Sequence, residues 1–266
     1  MTAKAYIGVT GSVTVLETVD ICKAFSEAGY SLNTPHIPML GFLVSYKTLT
    51  GELMKNRRYP AVNSLPKLLE ATAGSVLTMV HYNSNEGSSL AEQVARIFAD
   101  KVNIYENGLC RALQLNIVWP GPTQTAKIKE QFLNMQIVLQ ASNKAMSGKN
   151  HRQIAEKIQQ YADTIDYVLI DPSGGKGLEF NIDSSVAVYS QLREQCPDLC
   201  IGFAGGLTSE NVSSRITELI SRVGENSFCI DAEGGLRDKI TAHYGDDLLN
   251  IRKVQSYLQS ASLVLK

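Results

Sequence analysis

Eight short apolar runs of β character, each followed by a stretch with helical periodicity, dominate this chain. The runs are Ala5 to Thr10, Ile37 to Val44, Val76 to Tyr82, Ala112 to Val118, Gln136 to Gln140, Tyr167 to Ile170, Cys200 to Ala204 and Phe228 to Asp231. Helical patterning follows them over about Val13 to Glu27, Ser64 to Ala73, Ser89 to Ala99, Thr123 to Phe132, Arg152 to Tyr161, Asp183 to Glu194, Ser209 to Ile220 and Leu249 to Leu258. Strands that alternate with helices build βαβ units, which pair their strands in parallel and pack the helices outside. Spread over 266 residues, each unit has about 33, enough for one strand, one helix and two loops. The pattern predicts an α/β fold, a single (β/α)8 TIM barrel that uses residues 1–266 as one domain. A doubly wound open sheet would need fewer strands or a second domain, and no linker or low-complexity tract marks a boundary. Ser89, and Thr208 or Ser209, stand where a short hydroxyl can accept from the free amides of a helix's first turn.

Composition narrows the function classes. With 44% hydrophobic and 19% charged residues, the chain can bury a large core, which excludes a disordered or disulfide-stapled protein. Its 25 basic and 26 acidic residues leave a net charge of −1, so no basic field points to a nucleic-acid partner. No apolar run approaches the roughly 18 residues needed to span a bilayer. Met1 to Gly8 is too short and mixed for a signal peptide, so no membrane partner is expected either. The five scattered cysteines, Cys22, Cys110, Cys196, Cys200 and Cys229, read as reduced thiols of a cytoplasmic protein. Cys196 and Cys200 lack a second ligand pair nearby, so no metal site is expected. The sequence says nothing about oligomeric state.

In a βα barrel the chemistry sits on loops at the carboxyl ends of the strands, often with a phosphate after the last two. Those ends carry Thr10-Gly11-Ser12, Lys47, His81, Asn116, Lys144, Asp171, Gly205-Gly206 and Asp231 to Gly235. Glycine pairs let backbone amides approach an anion closely, and a helix N-terminus adds favourable partial charge. Gly205 and Gly206, then Gly234 and Gly235, are therefore the expected phosphate-binding residues. Gly174-Gly175-Lys176-Gly177 lacks the spacing and the hydroxyl of a nucleotide P-loop, and no dinucleotide fingerprint is present, so no cofactor is expected.

Leu169-Ile170-Asp171 with the downstream Gly-Gly-Lys-Gly, Phe203 to Val212, and Ile230 to Gly235 together resemble phosphoribosylanthranilate isomerase, within the wider group of ribulose-phosphate-binding barrels. The match is good over about residues 165–260 and loose before residue 110. Ala112 to Asn116, Gly41-Phe42 and Arg58-Tyr59 are similar to further elements of that family. The resemblance implies an isomerase of tryptophan biosynthesis. It performs an Amadori rearrangement of a small phosphorylated sugar derivative. Asp171 would be the general acid, Arg58 would pair with the anthranilate carboxylate, and Gln114 and Asn116 would contact substrate. Two positions depart from the family. Its first-strand cysteine is absent from Tyr6 to Gly11, and its fourth-strand histidine is Asn116 here, which leaves the general base unassigned. Two other readings stay open. One is a lyase or aldolase forming a Schiff base on Lys47 or Lys144. The other is a barrel that binds a phosphorylated ligand without catalysis. His81 is a further candidate base, His243 lies in a late insertion expected to be exposed, and Glu233 would repel a phosphate unless it turns away.

Overall fold

The computed structural model describes residues 3–52, 54–100, 103–173 and 179–265. Its eight barrel strands are β1 (Tyr6–Thr10), β2 (Ile37–Ser45), β3 (Leu77–Asn83), β4 (Ala112–Asn116), β5 (Gln136–Ser142), β6 (Tyr167–Asp171), β7 (Cys200–Ala204) and β8 (Cys229–Ala232). They pair in sequence order, all parallel, and β8 closes onto β1 with Ile7 opposite Ile230. The predicted (β/α)8 barrel is therefore the observed one.

Among the described residues, ten α-helices wrap or cap this barrel: α1 (Val15–Glu27), α2 (Tyr46–Leu49), α3 (Leu65–Glu70), α4 (Leu90–Phe98), α5 (Pro122–Gln131), α6 (Asn143–Met146), α7 (His151–Gln159), α8 (Ile182–Gln195), α9 (Val212–Val223) and α10 (Ile251–Ser262). Eight of them match the patterned stretches to within a few residues. The single-turn α2 and α6 are additions, because four residues are too few to show a helical period. Also unforeseen is an antiparallel hairpin after the last strand, β9 (Arg237–Lys239) with β10 (Asp247–Leu249). Capping follows the residue types in part. Thr14 and Glu17 form a reciprocal box at the start of α1. Thr208 Oγ1 accepts from the amides of Glu210 and Asn211 in the turn that leads into α9. Ser89 does stand before α4, but its hydroxyl accepts from Gln93 Nε2 at 2.8 Å rather than from a backbone amide.

Strands buried on both faces explain the near-continuous apolar runs. Their outward side chains meet the helices in one large core. Inward side chains divide by height. Tyr6, Met39, Met79, Val138 and Tyr167 fill the lower half of the barrel with apolar bulk. Above them the interior turns polar, with Thr10, His81, Gln114, Gln140, Asp171 and Asp231 all buried. Buried polar groups cost free energy unless partnered, so a whole layer of them at one end marks where function overrides packing.

Candidate active site

The polar layer is the base of a cavity of about 240 Å³ that opens at the carboxyl ends of β2 to β8. Of the residues expected to act, Asp171, Gln114, Asn116, Gly205, Gly206, Gly234 and Gly235 all line it, and so does Lys144. Neither Arg58 nor Lys47 is among the described residues that do. His243 is exposed, as expected.

Asp171 ends β6 and is buried. Gln140 Nε2 donates to its Oδ2 at 2.6 Å, and the Ser173 amide and hydroxyl donate to its Oδ1 at 3.0 and 2.8 Å. Both oxygens thus accept hydrogen bonds. A second carboxyl, Asp231, enters from β8. Thr10 Oγ1 donates to its two oxygens at 3.0 and 3.2 Å. Burial pushes the Asp231 pKa well above the usual carboxylate range, and the nearby Glu233 and Asp171 push it the same way. Gly8 makes the room for it: a Cβ there would lie 2.6 Å from Asp231 Oδ1. The sequence shows Thr10 and Asp231 only as strand ends. Their pairing depends on β1 being the neighbour of β8, which is known only once the barrel closes.

The same layer holds His81 on β3 and Gln114 on β4, opposite one another in the strand register. His81 Nε2 and Gln114 Oε1 are buried without a hydrogen-bond partner. Burial lowers the His81 pKa to about 3, so its imidazole is neutral at physiological pH and unsuited to accept a proton there. Gln114 Nε2 donates to Asn116 Oδ1 at 2.8 Å, which fixes the amide of one expected contact residue against the other.

The two glycine turns form the far wall. Gly205 and Gly206 adopt φ values of 114° and 64°, open to glycine and strained for other residues. At Gly235 a Cβ would sit 2.1 Å from the carbonyl oxygen of Leu207, so the β7 and β8 turns abut with no space between them. The Gly174-Gly175-Lys176-Gly177 run lies outside the described residues.

Arg58 is placed differently from its expected role. Its Nε donates to both oxygens of Asp247 at 3.0 and 3.1 Å, its Nη2 reaches Asp247 at 2.6 Å, and its Nη1 reaches Glu233 at 2.6 Å. Burial draws this guanidinium toward its neutral form, but Asp247 and Glu233 more than offset that and hold its pKa above the ordinary value. Arg237 Nη1 joins the cluster through Asp247 at 3.2 Å, and the ring of Tyr244 lies 4.7 Å from Arg58. Arg58 is thus a clasp between the β2–α3 connection and the β9–β10 hairpin. A backbone bond from the Arg57 amide to Gly245 and an Arg57–Asp246 ion pair at 2.9 Å tighten the same seam. Glu233 points its carboxylate at Arg58, although its residue still lines the cavity. Residues 57–59 of the insertion are therefore part of the cover at the barrel mouth, with Tyr59 and Tyr244 facing the cavity.

A closed β/α barrel with a carboxylate-bearing mouth defines the structural class. No protein-family model matches the chain, and no curated protein does. Solved structures do. Phosphoribosyl anthranilate isomerase from Thermus thermophilus has a TM-score of 0.62 at 13% identity, covering 97% of this chain and 99% of that one. The same enzyme from Thermotoga maritima has a TM-score of 0.61 at 15% identity, covering 97% and 98%. Tryptophan synthase subunit alpha from Legionella pneumophila has a TM-score of 0.57 at 12% identity, covering 99% and 92%. At these identities the likeness shows the shared barrel.

Proposed function

We propose that this chain is a barrel enzyme acting on a small phosphorylated sugar derivative, as an isomerase that moves a carbonyl between adjacent carbons. The observation that carries this reading is the placement of Asp171. Its carboxylate faces the cavity within one turn of Gly205, where a Cβ would come 3.4 Å from Asp171 Oδ1. A phosphate held on the amides of Gly205, Gly206, Gly234 and Gly235 would bring the sugar carbons over the two aspartates. Structural likeness to two phosphoribosyl anthranilate isomerases points the same way.

Isomerisation needs one group to take the proton from the carbon beside the carbonyl and return it to the former carbonyl carbon. A second group must carry a proton between the two oxygens. Paired carboxyls in unlike surroundings divide such work. Asp231, buried beside other carboxylates, holds its proton and suits the acid. Asp171, accepting three hydrogen bonds from Gln140 and Ser173, suits the base. This exchanges the acid role that the family resemblance gives Asp171, and it fills the position left by the missing first-strand cysteine. The test is a panel of aldose and ketose phosphates incubated in D2O and followed by proton NMR. Interconversion, with deuterium appearing at the carbon beside the carbonyl, is expected, and Asp171→Asn should lower it by about 100-fold or more. If no phosphosugar in the panel binds or exchanges, the reading fails.

Lys144 supports a second reading, because it lines the cavity at the end of β5, where an amine could form a Schiff base with a carbonyl substrate. Borohydride with deoxyribose 5-phosphate would then leave a mass adduct on Lys144.

A further inference from the structure

We propose that the half of the substrate away from the phosphate is an uncharged, hydroxylated carbon chain and not an aryl carboxylate. This rests on the phosphosugar reading above and adds to it the class of group that the rest of the cavity accepts. The first support is the fate of Arg58, the residue that a carboxylate would need. A planar guanidinium binds a carboxylate through two parallel hydrogen bonds. Here that fork is filled by Asp247, and the remaining Nη1 is bonded to Glu233. A substrate carboxylate would have to displace one of these buried partners and break its charge-assisted hydrogen bonds to Arg58.

The second support is the cavity's own chemistry. Asp171 lines it as a carboxylate, Glu233 lines it already paired with Arg58, and Lys144 is the one lysine or arginine among the described lining residues. A second anion there would meet the Asp171 carboxylate with only Lys144 to offset it. The side chains that fill the rest of the wall are neutral amides and hydroxyls, including Asn83, Gln114, Asn116, Gln140 and Ser142. In the same wall, His81 and Gln114 are partners in the strand register, and His81 Nε2 and Gln114 Oε1 are buried with no hydrogen-bond partner among the described residues. Because burial keeps the His81 ring neutral, the two together can offer one donor and one acceptor. A hydroxyl can both donate and accept, as these two groups require, whereas a carboxylate can only accept. Site hydrogen bonds left unpaired by the wrong ligand are a strong source of discrimination.

Titration calorimetry of the intact protein with four probes separates the outcomes. The probes are inorganic phosphate, ribulose 5-phosphate, 1-(phenylamino)-1-deoxyribitol 5-phosphate and the 2-carboxyphenyl version of the last. Ribulose 5-phosphate is expected to bind at least about tenfold tighter than inorganic phosphate, and the carboxyphenyl probe at least about tenfold weaker than its phenyl counterpart. Gln114→Leu, with its thermal transition checked for folding, should remove most of the advantage of ribulose 5-phosphate over phosphate. Equal or tighter binding of the carboxyphenyl probe overturns this proposal and leaves the phosphosugar reading standing. If none of the four binds at millimolar concentration, the phosphosugar reading falls and takes this proposal with it.

Discussion

Two residues of one type, Asp171 and Asp231, differ in what surrounds them, and the difference has a thermodynamic consequence. Asp231 has a raised pKa in the folded state, so the folded protein binds its proton more tightly than the unfolded chain. The stability it contributes is whole below the ordinary carboxylate value of about 3.9 and is lost as pH rises through the raised one. Asp231→Asn keeps an acceptor for Thr10 and has no proton to lose. Thermal melts across pH 4 to 9 should show the variant gaining on the parent as pH rises; parallel curves would mean that Asp231 does not titrate in this way. Asp247 is the opposite case. Arg58 and Arg237 outweigh its burial and hold its pKa below the usual range. Asp247→Ala would leave two buried guanidinium groups without their shared carboxylate, at a cost of about 3–5 kcal/mol in denaturant unfolding.

At the scale of elements, the turns after β7 and β8 behave as one unit. Gly235→Ala forces a Cβ against the Leu207 carbonyl and must push the two turns apart. Inorganic-phosphate binding should fall by about tenfold or more, while an unchanged affinity would show that the two turns do not form the anion site. Gly8→Ala acts on a different pair of elements. Its Cβ would collide with Asp231 and Met39, so a destabilisation of about 1–3 kcal/mol is expected by calorimetry. These elements also show what was legible in the residues. Eight strands and eight long helices could be read because burial on both faces, or on one helical stripe, repeats along the chain. The hairpin could not, since Arg237–Lys239 and Asp247–Leu249 have three residues each and no apolar alternation. For the same reason Arg58 could be read only as a solvated charge or a ligand. Its partner Asp247 lies 189 residues away, on an element that local pattern does not reveal. Asp171 and the glycine turns were legible because each stands within a few residues of a strand end.

For the whole molecule, the closed barrel explains why residues so far apart in sequence share one cavity. Strands in sequence order bring β1 against β8, which puts Thr10 on Asp231, and the long covering segments meet above them through Arg58. Apolar bulk below and polar groups above give the barrel one working end. The central claim is that this end binds a sugar phosphate, with its phosphate on the β7 and β8 turns. Backbone amide shifts of the 15N-labelled protein, recorded as ribulose 5-phosphate is added, test it most directly. The largest shifts are expected at Gly205, Gly206, Gly234 and Gly235, with smaller ones at Asn116 and Asp171. Saturating shifts elsewhere on the surface, or none at these residues up to millimolar ligand, would contradict it.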